Sequence, residues 1–140
     1  MPNQNSIKES REKVEQFLAE LKAILSSPNF NPASDLDILP KKKTEDMFDP
    51  YTTANTLIEL DFDNEDVRNE LLKIRVEDYA ETLIDKINAT LPPFYVFYRN
   101  IQSREVYIKV KIRDNITGKV FCISFHFARY PASHPLPYSA

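Results

Sequence analysis

Apolar residues recur along this chain at two different periods, and the period changes at Leu91-Pro92-Pro93. Before the prolines the spacing is helical. Residues 6–26, SIKESREKVEQFLAELKAILS, place Val14, Phe17, Leu18, Leu21, Ile24 and Leu25 on one side of a helix, with Ser6 and Glu9 spaced as a capping box. SPNFNPASD ends that helix with two prolines, and ILPKKKTEDMFDP reads as irregular, its Lys41-Lys42-Lys43 run a solvated face. A short helix is predicted from Tyr51 through Leu60. A second follows over DFDNEDVRNELLKI, with Asp63 as N-cap and acids in its first turn. A third is expected over RVEDYAETLIDKINAT, where Val76, Tyr79, Ala80, Leu83, Ile84 and Ile87 share a side.

After the prolines the period is two. FYVFYRNI, REVYIKVKIRD and KVFCISFHFA read as three strands, followed by the proline-rich tail YPASHPLPYSA. Helices first and an antiparallel meander afterwards predict an α+β domain over 1–140, mainly helical over 1–93, sheet over 94–128 and tail over 129–140. The register of the last two strands follows from making their apolar faces coincide. Pairing Asp114 with Lys119 leaves the loop Asn115 to Gly118, with the one glycine of the chain available for a positive φ. A two-residue turn at Asn115-Ile116 would put β-branched Ile116 where a positive φ is needed, so the longer loop is preferred. Lys111 is then expected opposite Cys122, Lys109 opposite Ser124 and Tyr107 opposite His126. Val106, Ile108, Val110, Ile123, Phe125 and Phe127 are expected to pack against the helices, leaving the other face cationic and open.

Composition narrows the function. A lone Cys122 excludes an internal disulfide and disfavours a thiolate metal site, and a lone Gly118 excludes glycine-rich phosphate loops. No metal or cofactor is expected; His126 and His134 are poorly spaced for a metal pair. No apolar run approaches the ~20 residues that cross a bilayer. MPNQNSIKES has no signal-peptide core, so a cytoplasmic protein with no membrane partner is predicted. Net charge is −3, but it is unevenly placed. From Tyr95 to Ala140 seven Lys or Arg face only Glu105 and Asp114, while residues 1–94 hold eleven basic and nineteen acidic residues. Such asymmetry arises from a polyanion-binding half, or from two halves that attract each other within one fold.

A His, a Tyr and two Lys on one sheet face suit a phosphodiester. His126 titrates near neutrality and can take or give a proton, and Lys109 and Lys111 can neutralise charge developing on phosphorus-bound oxygens. Nearby cations would ease proton loss from Tyr107. Ser124 completes the patch, Arg99 and Arg113 can hold flanking phosphates, and Tyr95 or Tyr98 can stack on an unpaired base. The plain alternatives are a histidine on a solvent face and outward lysines that guard against edge pairing.

The strings LDFDNEDVRNELLKIRVEDYAE, EVYIKVKIRD and VFCISFHFARYP, in that order, resemble the motility quorum-sensing regulator (MqsR) family of type II toxin–antitoxin toxins. The resemblance covers roughly residues 57–127. It implies a RelE-like α+β fold, a metal-independent mRNA interferase activity, an RNA substrate and a cognate antitoxin protein as partner. Tyr107 and Lys109 fall on that family's Val-Tyr-x-Lys motif, and His126 on its final catalytic lysine after Ser-Phe. Two positions depart from the pattern: Ala80 stands where the family has a lysine, and Tyr95-Val96-Phe97 where it has Trp-Gln-Asp. The sequence thus implies an endoribonuclease with His126, Tyr107 and Lys109 as catalytic residues and Lys111, Arg99, Arg113 and Ser124 on RNA. The alternative is a non-catalytic protein- or RNA-binding domain on the same scaffold.

Overall fold

The computed structural model describes residues 4–40, 45–132 and 135–139. Lys41, Lys42, Lys43 and His134 lie outside them. The fold is α+β, built on one six-stranded sheet in the order β1-β3-β4-β5-β6-β2. Its strands are β1 Gln4–Ile7, β2 Leu36–Ile38, β3 Tyr79–Asp85, β4 Phe94–Ile101, β5 Arg104–Asp114 and β6 Lys119–Phe127. Only the β2–β6 pair is parallel. The helices are α1 Arg11–Leu25, α2 Pro32–Asp35, α3 Thr53–Leu60 and α4 Asn64–Leu71.

The first helix starts later than its periodicity suggested. Ser10, not Ser6, accepts the Lys13 N–H as N-cap, because residues 4–7 are extended and pair with β3. The α4 start is as expected, with Asp63 and Asp66 forming a reciprocal capping box. The expected third helix is instead a single 3₁₀ turn, Val76–Asp78, leading into β3. Thr82 there turns its hydroxyl to Tyr79 Oη at 2.7 Å, on the helix-covered side of the sheet.

One core lies between the helices and one sheet face. Val14, Leu18, Leu21 and Leu25 of α1 and Val67 and Leu71 of α4 meet Tyr79, Tyr95, Phe97, Val106, Ile108, Val110, Phe125 and Phe127. Phe17 stacks on Tyr95 with ring centroids 3.8 Å apart. The tail returns over this side, where Tyr138 stacks on Tyr79 and its hydroxyl donates to the Glu9 carbonyl.

α3 runs along the edge of β6. Beyond Cys122, where β2 no longer pairs, the Phe125 N–H donates to Thr53 Oγ1 at 3.1 Å and the Phe127 N–H to Thr56 Oγ1 at 3.0 Å. Two threonine hydroxyls thus take the place of a neighbouring strand, which buried backbone donors require.

The β5–β6 connection is the four-residue loop, with Asp114 opposite Lys119 and Gly118 at φ +71°. Tyr107 faces His126 and Lys109 faces Ser124, as the apolar faces demanded. Lys111, however, lies opposite Phe121 rather than Cys122. Ile123 is an extra residue between the Lys109–Ser124 and Val110–Cys122 pairs, a β-bulge that reverses the facing of everything before it. Val120 and Cys122 therefore enter the core, and Phe121 joins the second face.

Candidate functional site

The second face is not the open cationic surface that strict alternation implied. Lys109 is 4% exposed and Ser124 1%, and Val96 and Phe94 are buried beside them. Phe94 is the reason for much of this. Its ring lies 5.0 Å from Lys109 Nζ and 4.7 Å from Lys111 Nζ, and it meets the Phe121 ring edge-on at 5.9 Å. Lysine stems bury readily against aromatic rings. Burial, with Arg113 adding repulsion, holds the Lys111 ammonium below its ordinary pKa. Ser124 Oγ is enclosed and finds no hydrogen-bond partner among the described residues.

Two predicted RNA ligands stand elsewhere. Arg99 projects to the helix-covered side, where it pairs with Asp78 at 3.0 Å and donates to the Lys73 carbonyl at 3.2 Å. Arg113 sits at the far end of β5, 3.1 Å from Asp37 and over the Phe121 ring at 4.1 Å. Tyr95, offered as a base platform, is in the core.

What the structure does assemble is a cleft of about 340 Å³ lined by Glu45, Tyr51, Tyr98, Tyr107, His126, Ala128, Arg129 and Tyr130. Its floor is a ring stack: Tyr107 and His126 lie 5.2 Å apart at 18°, and Tyr98 meets Tyr107 edge-on at 5.4 Å. His126 Nδ1 is 3.0 Å from the Phe127 carbonyl oxygen. A carbonyl only accepts, so Nδ1 carries the proton in this contact, and Nε2 is the nitrogen that bears the lone pair whenever the ring is neutral. Burial first, and the Glu81 charge second, push the Tyr107 phenol well above its ordinary pKa. This reverses the expectation that cations ease its proton loss: Tyr107 stays a hydrogen-bond donor.

Among the described residues the arginine of the cleft is Arg129, which no pattern in the sequence singles out. It pairs with Asp49 and lies over the Tyr51 ring, 4.8 Å from its centroid. The Tyr51 N–H, then Arg129 and the His126 charge, hold the Asp49 carboxyl below the usual range. Tyr130, 74% exposed, stands at the mouth. The only hint in the sequence is proximity, since Arg129 and Tyr130 follow His126 in FHFARYP.

Four other cavities are larger: two of about 530 and 510 Å³ flank α1, one of about 460 Å³ lies between Glu81 and the tail, and one of about 360 Å³ lies along β2. Among the described residues none of the four is lined by a histidine, so none offers a side chain that ordinarily titrates near neutrality. Among the described residues no three His, Cys, Asp or Glu side chains come together as metal ligands, and no helix is long and apolar enough to cross a membrane. Compared with protein-family models, curated proteins and solved structures, the chain matches none of them.

Proposed function

We propose that the protein is a metal-independent endoribonuclease of the MqsR-like, RelE-like toxin type, with the His126 cleft as its active site. The observation that supports this is the stacked Tyr107–His126 pair sharing one cleft with Arg129. In this reaction the RNA 2′-OH attacks the adjacent phosphorus, the P–O5′ bond breaks, and a 2′,3′-cyclic phosphate and a 5′-OH result. His126 Nε2 takes the 2′-OH proton. The Tyr107 phenol donates a hydrogen bond to the leaving 5′-oxygen, which takes its proton from solvent, and Arg129 balances charge on the non-bridging oxygens. His126 then returns its proton to solvent. Lys109, buried under Phe94, acts on the site only through its field. A cognate antitoxin would silence such an enzyme by covering the cleft.

The burial of Lys109 and Ser124 favours one rival, a non-catalytic binding domain on the same scaffold. Induced expression in a host without the antitoxin separates the two. The parent should arrest growth and yield RNA fragments with 5′-OH ends in the presence of EDTA. His126→Ala should lower cleavage about 10²–10⁴-fold, the usual contribution of a positioned base, and Tyr107→Phe should lower it less. Growth and RNA unaffected by the parent, or cleavage equal in parent and His126→Ala, would reject the active site.

A further inference from the structure

We propose that Arg129 is the phosphate subsite of this cleft and that Asp49 is its built-in competitor, a carboxylate that must be exchanged for a phosphodiester when RNA binds. The inference rests on the cleft being an RNA site. Carboxylate and phosphate engage a guanidinium through the same planar fork, so one can stand in for the other.

The loop is built to deliver that carboxylate. Asp49 Oδ1 accepts the Tyr51 N–H at 2.9 Å while Oδ2 meets Arg129. Asn55 Nδ2 donates to the Asp49 carbonyl at 2.7 Å and to the Met47 carbonyl at 2.9 Å, tying the loop to α3. The Asp49 side chain is 20% exposed and that of Arg129 46%. The acid is thus the fixed partner and the guanidinium the accessible one. Tyr130, next in the chain to Arg129 and mostly exposed, offers a face for the adjoining base. A half-exposed ion pair is weak enough to be displaced by a polyanion with additional contacts.

The test is the affinity of a short fluorescein-labelled 2′-O-methyl oligoribonucleotide, which cannot be cleaved, read by anisotropy. Asp49→Asn keeps an oxygen for the Tyr51 N–H and removes the charge. It should tighten binding about three- to fivefold, the scale of an exposed pair. Arg129→Gln should weaken binding, and in the Asp49→Asn, Arg129→Gln double variant the gain should vanish. Asp46→Asn makes the same charge change in the same loop and should leave affinity unchanged. Asp49→Ser, whose hydroxyl also accepts the Tyr51 N–H, replaces Asp49→Asn should the latter not fold. Equal or weaker binding by the Asp49 variants, a gain that persists without Arg129, or no binding by any variant would overturn the subsite. RNA cleavage is scored on the same proteins. Tighter binding without cleavage sustains the subsite and removes the nuclease, whereas His126-dependent cleavage with an unresponsive Asp49 does the reverse.

Discussion

Replacing Thr56 by Val removes one hydroxyl and little volume, which isolates the bond that holds β6 to α3. Thr56 is fully enclosed, and its Oγ1 is the acceptor for the Phe127 N–H at 3.0 Å. Among the described residues no strand stands on that side of Phe127 to accept instead, since β2 pairs with Val120, Phe121 and Cys122. A buried donor left unpaired costs about 1–3 kcal/mol. For a domain of this size that is a fall in Tm of roughly 3–10 °C. Urea unfolding followed by circular dichroism should show a lower midpoint at unchanged slope, with Thr56→Ser restoring most of the loss. Amide exchange should report the same event locally: Phe127 loses protection while Phe97, in the middle of β4, keeps it. Because Thr53 and Thr56 grip Phe125 and Phe127 on either side of His126, RNA cleavage should fall further than the unfolded fraction alone accounts for. A Thr56→Val protein within about 0.5 kcal/mol of the parent, the range of ordinary surface changes, with Phe127 still protected, would refute the claim that α3 completes the sheet.

Two further changes read other parts of the fold. Arg99→Ala should cost about 1–3 kcal/mol, because it leaves the mostly buried Asp78 without its closest cation, yet RNA affinity should not change. Weaker binding at full stability would return Arg99 to the RNA face. Cys122 is enclosed, and burial pushes its thiol from 9.0 up to about 12. A folded pKa raised above the unfolded one means stability that is intact below pH 9 and drains away as pH rises towards 12, because the unfolded thiol ionises first. Between about pH 8 and about pH 10.5 the urea midpoint of the parent should therefore fall more than that of Cys122→Ala. Equal falls would show that the thiol is not shielded.

The strands after Pro93 were legible because each is long and alternates over its whole length, and because the turn chemistry of Gly118 admitted one register. The error in β6 came from a pattern that was too regular. Phe121, Ile123, Phe125 and Phe127 alternate perfectly, but Val120 and Cys122 are as fit for a core, and only the Ile123 bulge decides between the two sets. β3 misled for a related reason. Over the seven residues of YAETLID, apolar positions at Tyr79, Ala80, Leu83 and Ile84 satisfy helical spacing, and the segment becomes a strand only because β1 and β4 flank it. β1 and β2 have four and three residues and pair with strands far away in the chain, so nothing local marks them. The Tyr107–His126 pair was found because it is a register question. Arg129 was not, because its place in the cleft depends on where residues 49–51 cross over.

The charge asymmetry between the two halves now has a structural meaning. Arg99, Arg113, Lys119 and Arg129 of the basic half pair with Asp78, Asp37, Asp35 and Asp49 of the acidic half. Most of the apparent polyanion surface is therefore the fold attracting itself. Of these four pairs only Arg129–Asp49 lies at the cleft, so on the endoribonuclease reading proposed above RNA recognition would turn on one local exchange rather than on a broad positive field. A protein that neutralises many phosphates loses affinity steeply with salt, whereas one that trades a single carboxylate for a single phosphate does not. An acidic chain can then act on RNA without a basic surface, provided that stacking on Tyr130 and Tyr98 supplies the affinity that charge does not.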